Sequence, residues 1–174
     1  MDEIIIRSAT PQDAQAILDI YRYYVEHTAI SFEITVPTVS EIQRRIGVVL
    51  TAFPYLIAQK GDSIIGYAYA GPFIKREAYD HCAEVSIYIS RECRKSGVGK
   101  MLYSKMFRLL EAQGIVNIYA CIGVPEEPDE YLNNNSAEFH QHMGFTEVGR
   151  FHHCGRKFGR SYHMIWMEKI IHSE

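Results

Sequence analysis

Residues 83–99 read AEVSIYISRECRKSGVG. The first eight alternate, with Val85, Ile87 and Ile89 on one face and Glu84, Ser86 and Tyr88 on the other, which is the period of a strand with a polar side. Behind it, Arg94-Lys95-Ser96-Gly97-Val98-Gly99 opens a helical pattern in which Met101, Leu102, Met106, Leu109 and Leu110 keep one face until Gly114, a natural stop. Two glycines at a strand-to-helix turn let the backbone approach a ligand. The first helical turn adds unbonded N–H groups at the positive end of the dipole. Such a turn favours phosphate or pyrophosphate, with Arg94, Lys95 and Lys100 supplying charge at the rim. It matches neither the G-x-x-x-x-G-K-[ST] loop nor the G-x-G-x-x-G fingerprint. Glycine turns into helices are common, so these six residues alone leave a plain connection open.

On the N-terminal side, Glu3 to Ser8 reads as a strand, and Thr10, Pro11 and Asp13 read as a helix start. Ile17, Ile20, Tyr21, Tyr24 and Val25 form the helical stripe, and Thr28 to Pro37 reads as a loop. Ile42, Ile46, Val49 and Phe53 mark one face of a second helix whose exposed side carries Arg44 and Arg45. Tyr55 to Lys60 and Ser63 to Gly71 flank Gly61-Asp62 as a hairpin, followed by a loop from Pro72 to Cys82. On the C-terminal side, Asn117 to Gly123 is a further strand. An acidic loop holding Glu126, Glu127, Asp129 and Glu130 leads to a short helix near Ser136 to Met143, then to strands Thr146 to His153 and Ser161 to Ile170. No repeat, low-complexity tract or linker divides the chain, so one α/β domain over residues 1–174 is expected.

The chain has 174 residues, 47% of them hydrophobic and 22% charged, enough to bury a substantial core and unlike collagen, long disorder or coiled coil. The dense apolar runs, such as Tyr55 to Ala58 and Ile64 to Ala70, fall short of the roughly 20 residues of a membrane-spanning helix. No membrane partner is expected. The start of the chain carries two acids and no basic, apolar leader pattern, so a cytoplasmic location is expected. A net charge of −3 without a long Lys/Arg block removes the attraction behind non-specific nucleic-acid binding. Cys82, Cys93, Cys121 and Cys154 lie far apart and read as thiols. His140 with His142, and His152-His153-Cys154, pass a first test for metal ligands by composition but fail by local geometry. Positions two apart on a helix point about 200° apart, and strand neighbours face opposite sides. No metal is expected.

The R-x-x-G-x-G turn between a polar-faced strand and an amphipathic helix, followed by a strand and a short helix ending at Gly144-Phe145, resembles the acetyl-CoA core of the GCN5-related N-acetyltransferases. The likeness extends further. SFE (Ser31 to Glu33), FPYLIA (Phe53 to Ala58), GYAYAGPF (Gly66 to Phe73), REAYD (Arg76 to Asp80), AEVSIYIS, LEAQG (Leu110 to Gly114), FHQHMGF (Phe139 to Phe145) and GRKFG (Gly155 to Gly159) are similar to segments of the phosphinothricin acetyltransferase family. The resemblance implies a mixed, twisted sheet of about seven strands flanked by about four helices. Two splayed strands, Glu84 to Ser90 and Asn117 to Gly123, would form the acetyl-CoA cleft, with Val85, Ile87 and Ile89 along the pantetheine arm. Amides near Arg94, Lys95, Gly97, Val98, Gly99 and Lys100 would hold the pyrophosphate.

Acetyl transfer to an α-amine requires a proton acceptor for the ammonium, a donor for the tetrahedral oxyanion and a proton for the thiolate. The resemblance implies that Glu84 is the base, directly or through water; a solvated acid at a strand end is the alternative. It implies that His140, four residues before Gly144, relays a proton or protonates the thiolate, with a packed core histidine as the alternative. Asn133 and Ser136 keep an N-x-x-S spacing implying contact with CoA, although capping alone also accounts for both. For the acceptor, Arg76 suits an amino-acid carboxylate, and Phe32 and Tyr79 wall the side-chain pocket. Ser161 and His163 stand where relatives often carry tryptophan and an acid or amide, which alters the pocket or its dimer neighbour. The expected protein is a homodimeric N-acetyltransferase of small amino acids or analogues, such as phosphinothricin and methionine sulfoximine. Two alternatives are a non-catalytic acyl-CoA-binding module and an enzyme acetylating a protein amine, drawn by the acidic loop.

Overall fold

In the computed structural model, which describes residues 3–171, alternation becomes seven strands and helical periodicity four helices. The strands are β1 (Ile4–Ser8), β2 (Tyr55–Lys60), β3 (Ser63–Pro72), β4 (Cys82–Ile89), β5 (Asn117–Val124), β6 (Thr146–Lys157) and β7 (Arg160–Ile170). The helices are α1 (Ala14–His27), α2 (Val39–Leu50), α3 (Val98–Ala112) and α4 (Asn135–His142). One sheet runs in the order β1-β2-β3-β4-β5-β7-β6. Its neighbours pair antiparallel except β4 and β5, which are joined through α3 and lie parallel.

That parallel pair is short. Its ladder runs Cys82↔Asn117, Ala83↔Ile118 and Glu84↔Tyr119, whereas β4 continues to Ile89 and β5 to Val124. The two strands therefore part immediately after Glu84. On one face of the sheet, Ala68, Ala70, Val85, Ile118, Ala120 and Ile122 pack with Leu102, Tyr103, Met106 and Leu110 of α3. On the other, Ile57, Tyr55 and Tyr67 pack with the stripes of α1 and α2. Each large side chain so buried contributes about 1.5–3 kcal/mol of transfer free energy, which holds both helix layers against the parted strands.

Two expected boundaries move. α2 ends at Leu50, so Phe53 is not on its face: the chain unwinds ahead of Pro54, and the Phe53 amide makes a last bond to Val49 O at 2.8 Å. β6 continues past His153 to Lys157 through a bulge in which residues 152–154 oppose His163 alone, between the pairs Phe151↔Met164 and Gly155↔Tyr162. His153 sits at φ 51, and its amide, lost to the ladder, donates to His163 Nδ1 at 2.9 Å. Glu126 joins these two, and the three donor atoms lie within 4.8 Å of one another. Local spacing misses this cluster because its central imidazole comes from the next strand. That imidazole already caps the bulge.

The α1 entry is fastened electrostatically. Asp13 accepts from the Thr10 amide at 2.7 Å and from Arg7 at 2.7 and 2.9 Å, and the Arg7 bonds, ahead of the Thr10 ones, hold its carboxyl below the usual range against the opposing effect of burial. Its stabilisation is complete above the ordinary aspartate range and is lost as pH falls through the lowered one. Asp13→Asn should therefore cost about 1 kcal/mol near neutrality, a figure kept small because Arg7 is partly exposed. Urea denaturation should show the gap from wild type closing in acid; an equal gap at neutral and acid pH would contradict this role.

Candidate active site

The turn from β4 into α3 is built to expose amides. Lys95 (φ 61) and Gly97 (φ 84) both take left-handed backbone, and α3 begins at Val98 with no side chain capping its first turn. Alternating backbone of this kind points successive N–H groups into one concavity, an arrangement that suits an anion. Gly97 is needed for its φ. Gly99 is needed for space, since a Cβ there would lie 3.0 Å from the Phe139 ring. Arg94 lies over Tyr23 and Tyr24 at 5.6 and 5.5 Å, and Arg91 over Tyr23 at 5.4 Å, which docks the basic rim on α1. Lys95 and Lys100 are exposed.

Beyond the last β4–β5 pair lies a narrow slot of about 40 Å³. Val85, Ser86, Ile87 and Tyr88 line one wall, Ala120 to Gly123 the other, and Ser136 and His140 of α4 reach it. Ile89 does not line it: its Cδ1 packs against the core, 2.7 Å from where a Cβ on Gly66 would sit. Glu84 is half-buried where the slot begins, and burial raises its carboxyl above the usual range. Cys121 shares its face of the sheet; burial, then the Glu84 charge, pushes the thiol up to about 11. Asn133 is exposed, and its Oδ1 accepts from the Asn135 amide at 3.0 Å, shaping the turn before α4.

His140 is 4% exposed. Its Nδ1 is 2.7 Å from Ser136 O, a carbonyl that only accepts, so Nδ1 carries the proton and Nε2 accepts from Tyr103 O–H at 2.9 Å. Burial lowers its pKa to about 4, with the Ser136 bond acting weakly the other way. Both ring nitrogens are thus engaged, and burial favours the neutral ring, the arrangement of a packed histidine at the wall of the slot.

Residues 6–166 match the family model described as an acetyltransferase (GNAT) domain. The chain belongs to the GNAT acetyltransferase family. It is 32% identical over 154 residues to phosphinothricin N-acetyltransferase of Streptomyces viridochromogenes, covering 88% of this chain and 80% of that one. It is 30% identical to the Streptomyces coelicolor phosphinothricin N-acetyltransferase, with 97% of each chain covered. Among solved structures, the phosphinothricin acetyltransferase of Sinorhizobium meliloti in complex with AcCoA superposes with a TM-score of 0.87 at 32% identity, covering 96% of this chain and 88% of that one. The fold described above is thus shared, over nearly its whole length, with a GNAT structure that holds AcCoA.

On the face of the GNAT sheet opposite α3, the Phe32 ring rests on two glycines: a Cβ on Gly123 would lie 3.1 Å from it and one on Gly155 2.6 Å. Lys157 ties this loop down through Ser31 O at 2.7 Å. Tyr79 and Arg76 lie exposed in the loop from β3 to β4, Tyr79 edge-on to Phe73, which stacks on Tyr119 at 4.0 Å. The slot also contains residues not selected from sequence, chiefly Cys121 and Ile122, and its His140 leans on Tyr103. Strand alternation in β5 gives the signal for Cys121; nothing local in α3 gives the Tyr103 bond.

Because folded His140 resists protonation, its contribution to stability is present above the ordinary histidine range and is lost as pH falls from there towards about 4. Nitrogen-detected NMR at neutral pH should find this ring neutral with its proton on Nδ1. A midpoint near that of free histidine would overturn the assignment.

Proposed function

We propose that the chain is a single N-acetyltransferase domain that transfers acetyl from acetyl-CoA to the α-amine of a small amino acid or analogue, phosphinothricin- or methionine sulfoximine-like, by direct attack in a ternary complex. The observation that carries this reading is Glu84 at the point where β4 and β5 part, beside a slot that begins where their ladder ends. Acetyl-CoA, when bound, supplies the activated acyl group. Bare amides from Gly97 to Gly99, with Arg94, Lys95 and Lys100 at the rim, suit its pyrophosphate. Val85, Ile87, Ser136 and the unpaired edges of the parted strands suit the pantetheine amides, each of which would otherwise lack a partner.

Glu84, with its carboxyl raised by burial, takes the ammonium proton directly or through one water. His140 positions rather than donates: neutral and doubly bonded, it fixes α4 against Tyr103 at the wall of the slot. Phe32, on its glycine platform, and Tyr79 wall the acceptor, and Arg76 meets its carboxylate. Asn133 supports the α4 turn and contacts CoA through its free amide nitrogen. We place the enzyme in the cytoplasm as a homodimer; the long exposed edge β6, with Val148 and Phe151 each 53% exposed, supports self-association.

Incubation with acetyl-CoA and an amino-acid panel should yield a product heavier by one acetyl group in mass spectrometry. Intact CoA binding with no product from any amine would reject the reading. Glu84→Gln should lower kcat by about 10²–10⁴-fold with acetyl-CoA affinity unchanged. In wild type, activity should rise with pH through a midpoint above the ordinary carboxylate range, and the variant should lose that limb.

A further inference from the structure

A second cavity, of about 180 Å³, opens between α2 and strands β2 and β3 on the Glu84 face of the sheet. Ile42 and Val49 give it apolar walls, and Tyr55, Tyr67 and Tyr69 project into it. Tyr55 and Tyr67 are 4% and 3% exposed, yet neither phenol oxygen has a hydrogen-bond partner among the described residues, nor is either sealed in as Glu33 Oε2 is. Burial raises both phenols well above their ordinary range, so both stay protonated and present donors. A ligand entering the cavity takes both phenols out of contact with solvent, so it must offer an acceptor in its place or leave them as buried, unpaired donors.

The cavity adjoins the base. Tyr55 pairs with Tyr69 across β2–β3, and Tyr69 with Ser86 across β3–β4, two residues along from Glu84. The charges of Glu84, Arg45 and Glu33 all act on the Tyr69 phenol. From Glu84, Tyr69 lies one strand across and two residues along, Tyr55 two strands across and two along, and Tyr67 one strand across and four along, roughly 8, 12 and 14 Å between backbones. Its charge is balanced: Arg45 is held by Glu33 at 2.7 Å and Glu41 at 2.8 Å. No unpaired cation awaits an anion, and the open partners are neutral O–H groups.

We propose that this cavity is the distal acceptor subsite, taking a neutral oxygen-bearing group on an apolar stem and reading it through the Tyr55 and Tyr67 hydroxyls. The inference rests on the acetyl-transfer reading and deepens it: the favoured acceptors are α-amino acids with long stems ending in a hydrogen-bond acceptor.

The test uses L-α-amino acids ending in a carboxamide or a methyl group on stems of roughly two to ten methylenes, the longest of which span the distances above. In wild type, kcat/KM should favour the carboxamide by about tenfold at the longer stems, because a methyl leaves both phenols unpaired. Tyr55→Phe with Tyr67→Phe keeps volume and removes only the hydroxyls, and should bring the ratio to about one with KM for acetyl-CoA unchanged. Equal rates for the pair in wild type, or a preference surviving the double variant, overturns the subsite. Binding of hexanamide, followed by NMR of the tyrosine rings, tests it without turnover. Shifts centred on Tyr55 and Tyr67 and lost in the double variant support the subsite even if no amine is acetylated, an outcome that would sink only the catalytic reading. Absence of such shifts sinks the subsite.

Discussion

The parting of β4 from β5 after Glu84 is the constraint to which the other features answer. Parallel strands normally pair to their ends, because an unpaired buried amide or carbonyl is costly. Here the ladder stops three pairs in, and the strands run on to Ile89 and Val124. Their separation is held by helices wedged on both faces. α3 follows β4 through the turn at residues 90–97, and Tyr24 of α1 donates to Ile89 O at 2.6 Å from the opposite side. The strands cannot close without unpacking both layers.

The two faces of the parted sheet have different electrostatic characters. On the α3 face beside the slot, burial favours the neutral forms of His140 and Tyr103. The opposite face carries the ionisable groups, Glu84, Glu33, Arg45 and a stack of tyrosines whose rings lie 5.1 to 6.4 Å apart on β2 and β3. A carboxylate at the boundary is raised by its half-burial but keeps access to water for its proton.

The seven strands and four α-helices were legible in sequence, most of them because each buries one face and repeats that face at its own period, whereas the short 3-10 turns at Glu77–Tyr79 and Arg91–Cys93 were not. What local pattern could not give was anything made by two distant segments. β6 was expected to end at His153 because its alternation fails there, but His163, ten residues on, rescues the stray amide and lets the strand continue. Ile89 shares its period with Val85 and Ile87 yet misses the slot, since the strand twists its end into the core beside Gly66. His140 was visible as a residue type at a suggestive spacing. Its tautomer depends on Tyr103, 37 residues earlier, and on a carbonyl one turn back.

That last dependence bears on how a proton leaves the site. A histidine fixed as Nδ1–H by Ser136 O, with Tyr103 donating to Nε2, has no lone pair left to offer a substrate. Tyr103 in turn cannot ionise, because burial raises its phenol well above the ordinary range. Cys121, pushed up to about 11, is likewise a thiol and not a thiolate at neutral pH. Every titratable neighbour in the slot is thereby held in its neutral form. Glu84, where the slot begins, is raised by burial too, but a raised carboxyl still ionises at lower pH than a buried phenol or thiol.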